Sequence, residues 1–228
     1  MPVTATLEAM TAIPEHWPLA GLRLRLMAPA GALELRLPDP DDLAALAALA
    51  EAGVHDPGLQ PFAVPWTDVE PAARALATMQ YHWMCWATWT PAKWELNLVT
   101  TLDGVVVGTQ GLSGTDFPVL REVGTGSWLG SQYQGRGIGT AMRAAVLALA
   151  FDGLGAQYAC SAAFAYNAAS LAVSRKLGYA DDGMNRQLVR GKPAELRRLR
   201  LDRDSWAAHR TADVTICDLG PCLPLFGR

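Results

Sequence analysis

Charge, histidine, cysteine and long apolar runs are all scarce in this chain, and each scarcity excludes something. Only 18% of the 228 residues are charged, and 19 Lys and Arg against 22 Asp and Glu leave a formal net charge of −3. No block of five like charges occurs, so neither a nucleic-acid groove nor a polybasic membrane patch is expected. The longest apolar run, Ala144 to Phe151, is closed by Arg143 and Asp152, far short of the roughly 20 residues that cross a bilayer. The start, Met1 to Met10, has neither a basic nor an apolar leader region, so a soluble, cytoplasmic protein is expected. Four cysteines and four histidines show no C-x-x-C and no ligand spacing. Reduced thiols are expected, with no metal site and no disulfide framework. No G-x-x-x-x-G-K-[ST] stretch is present, which disfavours a nucleoside triphosphatase.

Half the residues are apolar, enough for a real core, and the length suits one domain with extensions. The expected division is an N-terminal arm over 1–30, one domain over 31–210 and an irregular C-terminal tail over 211–228. Gly31 to Leu37 alternates as a strand. Pro38-Asp-Pro-Asp-Asp42 then stops it and caps a helix that Gly53 closes. His55 to Trp66 carries three prolines and a glycine and reads as a long, partly stiffened loop. A second helix is expected from Glu70 to about Trp89. Strands Glu95 to Leu102 and Val105 to Gly111 flank Asp103-Gly104, the signature of a type I′ hairpin. A strand over Glu122 to Leu129 leads through a glycine-rich loop into an Ala-rich helix. A strand over Tyr158 to Phe164 and a helix from Asn167 to Leu177, stopped by Gly178, follow. Met184 to Arg190 and Glu195 to Leu201 are expected to form a last hairpin, turned at Gly191-Lys-Pro193, with a short helix near Asp202 to His209.

The most informative stretch is Gln134-Gly135-Arg136-Gly137-Ile138-Gly139-Thr140. Its glycines let the backbone approach a ligand, the helix behind it aims free N–H groups outward, and Arg136 adds a cation. This is an anion cradle suited to phosphate or pyrophosphate, although a glycine turn before a helix is also an ordinary capping device. The pattern Q-x-x-G-x-G resembles the acyl-CoA pyrophosphate loop of the GNAT N-acetyltransferase superfamily. A second block, Asn167-Ala-Ala-Ser170-Leu-Ala-Val-Ser174-Arg-Lys176-Leu-Gly178-Tyr179, resembles N-x-x-S-x-x-x-x-x-K-x-G-[FY] of its RimJ/RimL-like branch.

The resemblance covers about Leu33 to Leu201. It implies an α/β (α+β) GNAT fold, a mixed and mostly antiparallel central sheet flanked by helices and splayed between the strands at Glu122 and Tyr158. There acetyl-CoA, the co-substrate, lies against Trp128, Leu129, Gln134 to Thr140, Asn167 and Ser170. Gly124 and Gly126 fit a bulge at the splay. The implied chemistry is direct attack of a primary amine on the thioester, with Ser127 or Trp128 giving a backbone N–H to the oxyanion. Glu122 stands where many members keep the base, or else is a surface carboxylate paired with Arg121. Ser170 occupies the branch's thiolate-contacting position, and Ser174 stands where many other members have tyrosine.

Six of the eight tryptophans lie between Trp66 and Trp128. Trp66, Trp86 and Trp89 are candidates for an aromatic acceptor wall, and plain helix core also accounts for Trp86. The acceptor is expected to be a small amine (metabolite or antibiotic) or a protein α-amine, and the protein a homodimer. A non-catalytic acyl-CoA-binding sensor or interaction module is the competing reading.

Overall fold

The computed structural model describes residues 13–228. Within them one sheet contains β1 (Arg23–Ala28), β2 (Gly31–Arg36), β3 (Lys93–Leu102), β4 (Val105–Thr115), β5 (Glu122–Leu129), β6 (Tyr158–Phe164), β7 (Ala180–Val189), β8 (Lys192–Asp202) and β9 (Thr215–Cys217). Their order is β7-β8-β6-β5-β4-β3-β2-β1-β9. Every neighbouring pair is antiparallel except β5 and β6. Helices α1 (Pro40–Ala52), α2 (Pro71–Ala87), α3 (Ile138–Ala148), α4 (Ala168–Lys176) and α5 (Arg203–Ala208) flank it. This is the mixed, mostly antiparallel architecture expected from sequence.

Local chemistry accounts for most boundaries. Asp39 and Asp42 form a reciprocal capping box at the start of α1, with Pro40 in its first turn. Asp103 and Gly104 both have positive φ, +49° and +83°, which a type I′ turn requires. The β7–β8 hairpin turns at Arg190-Gly191, with φ of +47° and +77°, starting one residue before the expected Gly191-Lys-Pro193. Pro193 instead sits inside β8 opposite Leu188. It lies beyond the last β6–β8 pair, Phe164 with Leu196, so its missing N–H interrupts no ladder on that side.

The ends of the chain differ most from expectation. Residues 1–12 of the expected arm lie outside the described residues. Its later part supplies β1, a full partner of β2 in which Leu24 and Leu26 are buried. The expected irregular tail provides β9, paired with β1, and a 3₁₀ segment, Gly220–Phe226, whose Cys222 and Phe226 are fully buried. Phe226 packs edge-on against Trp94 and Trp89 with ring centroids 4.9 and 5.5 Å away. The described residues near both ends belong to the central fold.

The sheet opens at one place. β5 and β6 pair only from Glu122 with Tyr158 to Gly124 with Cys160, and then part. β4 and β5 keep an unbroken register from Gly108 with Leu129 to Ser113 with Gly124. The expected bulge at Gly124 and Gly126 is therefore absent from that pairing, and the opening arises from the short parallel contact. Thr125 marks its closed end, with Oγ1 on the Cys160 carbonyl at 3.3 Å and 3.2 Å from the Tyr179 hydroxyl.

Candidate active site

The glycine loop lies at the end of β5. Gln134 donates from Nε2 to the Val54 carbonyl at 2.7 Å and to the Leu129 carbonyl at 3.1 Å. Its amide donors thus tie the loop to the strand end and to the segment after α1. Gly135 and Gly137 take φ of +73° and +80°, which only glycine adopts cheaply. Gly137 is the N-cap of α3 and makes no side-chain cap, so the amides of Ile138, Gly139 and Thr140 keep their outward direction. A Cβ on Gly139 would meet only Leu129 Cδ1 at 3.8 Å and Val173 Cγ2 at 4.0 Å. The space in front of that turn is not needed for packing. Arg136 is exposed and makes no ion pair among the described residues. These features fit a pyrophosphate.

Along the gap, strand alternation selects the free amide. The Gly130 N–H bonds the Val107 carbonyl at 3.0 Å, and with the unbroken β4–β5 register the Trp128 and Gly126 amides also point to β4. The Ser127 and Leu129 amides therefore face the gap. Of the two candidates for the oxyanion donor, Ser127 has the right direction and Trp128 does not. Leu129 is buried, and Trp128 sends its side chain to the other face of the sheet.

On α4, Asn167 accepts the Ser170 N–H at 3.1 Å, so it is the cap. The Ser170 hydroxyl is half-buried and makes no hydrogen bond among the described residues. Ser174 is fully buried; it accepts from Arg143 Nη1 at 2.9 Å and donates to the Ser170 carbonyl at 3.1 Å. Arg143 is 5% exposed. It has no carboxylate partner among the described residues and an unpartnered Nε. Burial pushes its pKa down, opposed by the Tyr179 phenol. Sequence reasoning missed this residue. The signal was a lone arginine four places after Gly139, on the same side of an otherwise apolar helix.

Across the sheet from α3 lies a cavity of about 970 Å³. Phe62 and Trp66 from the Pro-rich loop, Tyr81 and His82 from α2, Glu95 from β3 and Trp128 from β5 line it. Phe62, Trp66 and Trp128 follow one another at centroid distances of 5.2 and 5.7 Å. Of the three expected aromatic contacts only Trp66 is here. Trp86 packs against the core, and Trp89 stacks on Trp94 at 5.8 Å and donates to the Leu225 carbonyl at 2.9 Å. Arg190 and Asp68 pair at 2.6 Å, and the Tyr166 hydroxyl donates to the Gln60 carbonyl at 2.6 Å. Through these contacts the loop before α2 is tied to the far side of the gap.

Glu122 also reaches the cavity, but its partner is Arg200 at 3.3 Å, which Asp182 shares at 3.5 Å. Arg121, the partner considered from sequence, instead donates to the Leu154 carbonyl at 3.3 Å. Burial first, and then Glu122, push the Cys160 thiol up to about 11. Burial pulls the His82 imidazole down to about 4, so it is neutral near pH 7. Burial and then the hydrogen bond to Glu95 raise the Tyr81 phenol above its ordinary range.

A family profile described as Acetyltransferase (GNAT) domain matches residues 32–180. The chain belongs to the GNAT acetyltransferase family. Among solved structures, RimJ from Mycobacterium smegmatis, in complex with CoA-disulfide, is 21% identical. That match covers 85% of this chain and 97% of that one, with a TM-score of 0.69. RimL, a ribosomal L7/L12 alpha-N-protein acetyltransferase in complex with coenzyme A, is 17% identical, covering 79% and 98%, with a TM-score of 0.62. MccE, a microcin C7 self-immunity acetyltransferase in complex with acetyl-CoA and AMP, is 16% identical, covering 77% and 98%, with a TM-score of 0.60. These likenesses carry the GNAT fold. Among the described residues of this GNAT chain, no three His, Cys, Asp or Glu side chains gather as a metal site, and no helix is long and apolar enough to cross a membrane.

Proposed function

We propose that this protein is an N-acetyltransferase that moves an acetyl group from acetyl-CoA to a primary amine by direct attack within a ternary complex. The observation that carries the reading is the continuity of the site. An uncapped, glycine-built helix start opens into a gap in the sheet, and a cavity with carboxylates in its walls lies beyond it. Gly135, Gly137, Gly139 and the amides of Ile138 to Thr140 hold the pyrophosphate, with Arg136 adding charge. The Ser127 N–H takes the developing oxyanion. The Ser170 hydroxyl supports the leaving thiolate, whose ordinary pKa is about 8.5. Glu122 takes the proton of the attacking ammonium through water. That matters most for a Lys-type amine, where losing it costs about 4 to 5 kcal/mol at neutral pH.

The acceptor is a small amine, such as a metabolite or antibiotic, or a protein α-amine. The protein works in the cytoplasm, as a homodimer. The test is release of free thiol from acetyl-CoA across a panel of small amines, antibiotics and peptide N-termini. A non-catalytic acyl-CoA-binding module would bind acetyl-CoA in calorimetry and release no amine-dependent thiol. That result would reject the enzyme.

A further inference from the structure

Resting on the reading of the cavity as the acceptor site, we propose that Glu95 seats a second cationic group of the acceptor, remote from the nitrogen that attacks. The acceptor class is then a small amine with another positive charge at the end of an apolar spacer.

Glu95 is the third residue of β3, half-buried, on the face covered by α2. It makes no ion pair with any described cation. Its hydrogen bonds are from the Tyr81 hydroxyl at 2.5 Å and the Cys85 thiol at 3.7 Å, both on Oε2, leaving Oε1 without a donor among the described residues. A carboxylate accepts about four hydrogen bonds, so most of its capacity faces the cavity. Nearby, the buried His82 has an Nδ1 with no partner among the described residues. The other cavity carboxylates are different. Glu122 and Asp182 share Arg200, and Arg198 is engaged on the Asp182 carbonyl at 2.9 Å. The uncompensated negative charge of the cavity is therefore at Glu95.

Register gives the distance. Glu95 pairs with Ser113, and Ser113 with Gly124, which places Glu95 two strands from β5. At about 4.8 Å per strand this is roughly 10 Å of backbone separation from the strand that borders the gap. That is too far to hold the attacking nitrogen and right for the opposite end of the same molecule. The floor between carries only short polar side chains: Ser113 Oγ and Asn97 Oδ1 stand 2.7 and 2.8 Å from where a Cβ on Gly124 and on Gly111 would be. The next row is Asn97, Gly111 and Gly126, and a Cβ on Gly126 would meet nothing within 4 Å. Phe62, Trp66 and Trp128 make an apolar wall alongside, which suits a hydrocarbon spacer and stabilises a nearby cation.

The probes are 1,8-diaminooctane, n-octylamine and 8-aminooctanoate, titrated calorimetrically into the CoA-loaded wild-type, Glu95→Gln and Glu95→Asp proteins. The wild type should bind the diamine about tenfold more tightly than n-octylamine, and the amino acid more weakly than either. Glu95→Gln should abolish the diamine preference while leaving n-octylamine within about twofold, and Glu95→Asp should keep part of it. A wild-type ratio near one, or the same ratio in Glu95→Gln, overturns the proposal. If Glu95→Gln does not fold, the three wild-type affinities and Glu95→Asp still decide. Thiol release measured alongside separates the two claims. A diamine preference without turnover rejects acetyl transfer and leaves the cation seat standing.

Discussion

Ser170 and Ser174 stand four residues apart on α4, and replacing each by alanine should do opposite things. Ser174 is fully buried and is the one hydrogen-bond acceptor found for Arg143 among the described residues. Removing its Oγ leaves a buried guanidinium with no partner, where a hydrogen bond to a charged group is worth about 1.5 to 3 kcal/mol. The Ser174 bond to the Ser170 carbonyl is a local helix bond and adds little. Ser174→Ala should therefore destabilise the fold by about 2 to 3 kcal/mol, which lowers Tm by roughly 4 to 12 °C in a domain of this size. kcat below the transition should change little. Ser170→Ala removes a hydroxyl with no protein partner, so Tm should hold within about 1 °C. Its kcat should fall about tenfold to a hundredfold, equivalent to roughly 1.4 to 2.7 kcal/mol. Differential scanning calorimetry with rates at saturating acetyl-CoA measures both. An unchanged Tm in Ser174→Ala, or a larger kcat loss there than in Ser170→Ala, would refute the reasoning.

Four further outcomes follow from the structure. Glu122→Gln should depress the rate more at pH 7 than at pH 9, because the acceptor amine loses its own proton at high pH; an equal loss at both would make the Glu122–Arg200 pair structural. Gly139→Val should fold, since its Cβ meets only ordinary contacts, yet lose the thermal shift given by acetyl-CoA, while a retained shift would remove the pyrophosphate from this turn. His82 has a folded pKa of about 4 against about 6.5 unfolded. Between those pH values the unfolded chain takes up the proton first, so stability should fall by about 3 kcal/mol as pH drops through the window. Denaturant titrations of His82→Leu should show that slope flattened. Phe226→Ala should cost about 3 to 5 kcal/mol, and a chemical-denaturation midpoint like that of wild type would show that the C-terminal segment is dispensable to the core.

What was legible in the sequence was local. The helix cap within Pro38 to Asp42, the Asp103-Gly104 turn, the glycine loop leading into the Ala-rich helix and the cap at Asn167 each rest on bonds spanning a few residues, and each appears in the structure where composition and spacing place it. The family motifs lie on the same short segments, which is why the fold class could be named from them. Tertiary contact decided the rest. β9 is three residues long and has no pattern of its own; it exists because β1 offers an unpaired edge. Trp89 is core because Phe226, far away in the chain, packs against it, whereas Trp66 reaches the cavity between Phe62 and Trp128. Arg143 reads as the edge of an apolar run, yet the docking of α4 buries it against Ser174. That Glu95 has no ion pair among the described residues likewise depends on which carboxylates Arg200 reaches. Such facts involve residues tens of positions apart, and pairing across those distances is set by packing in three dimensions rather than by sequence period.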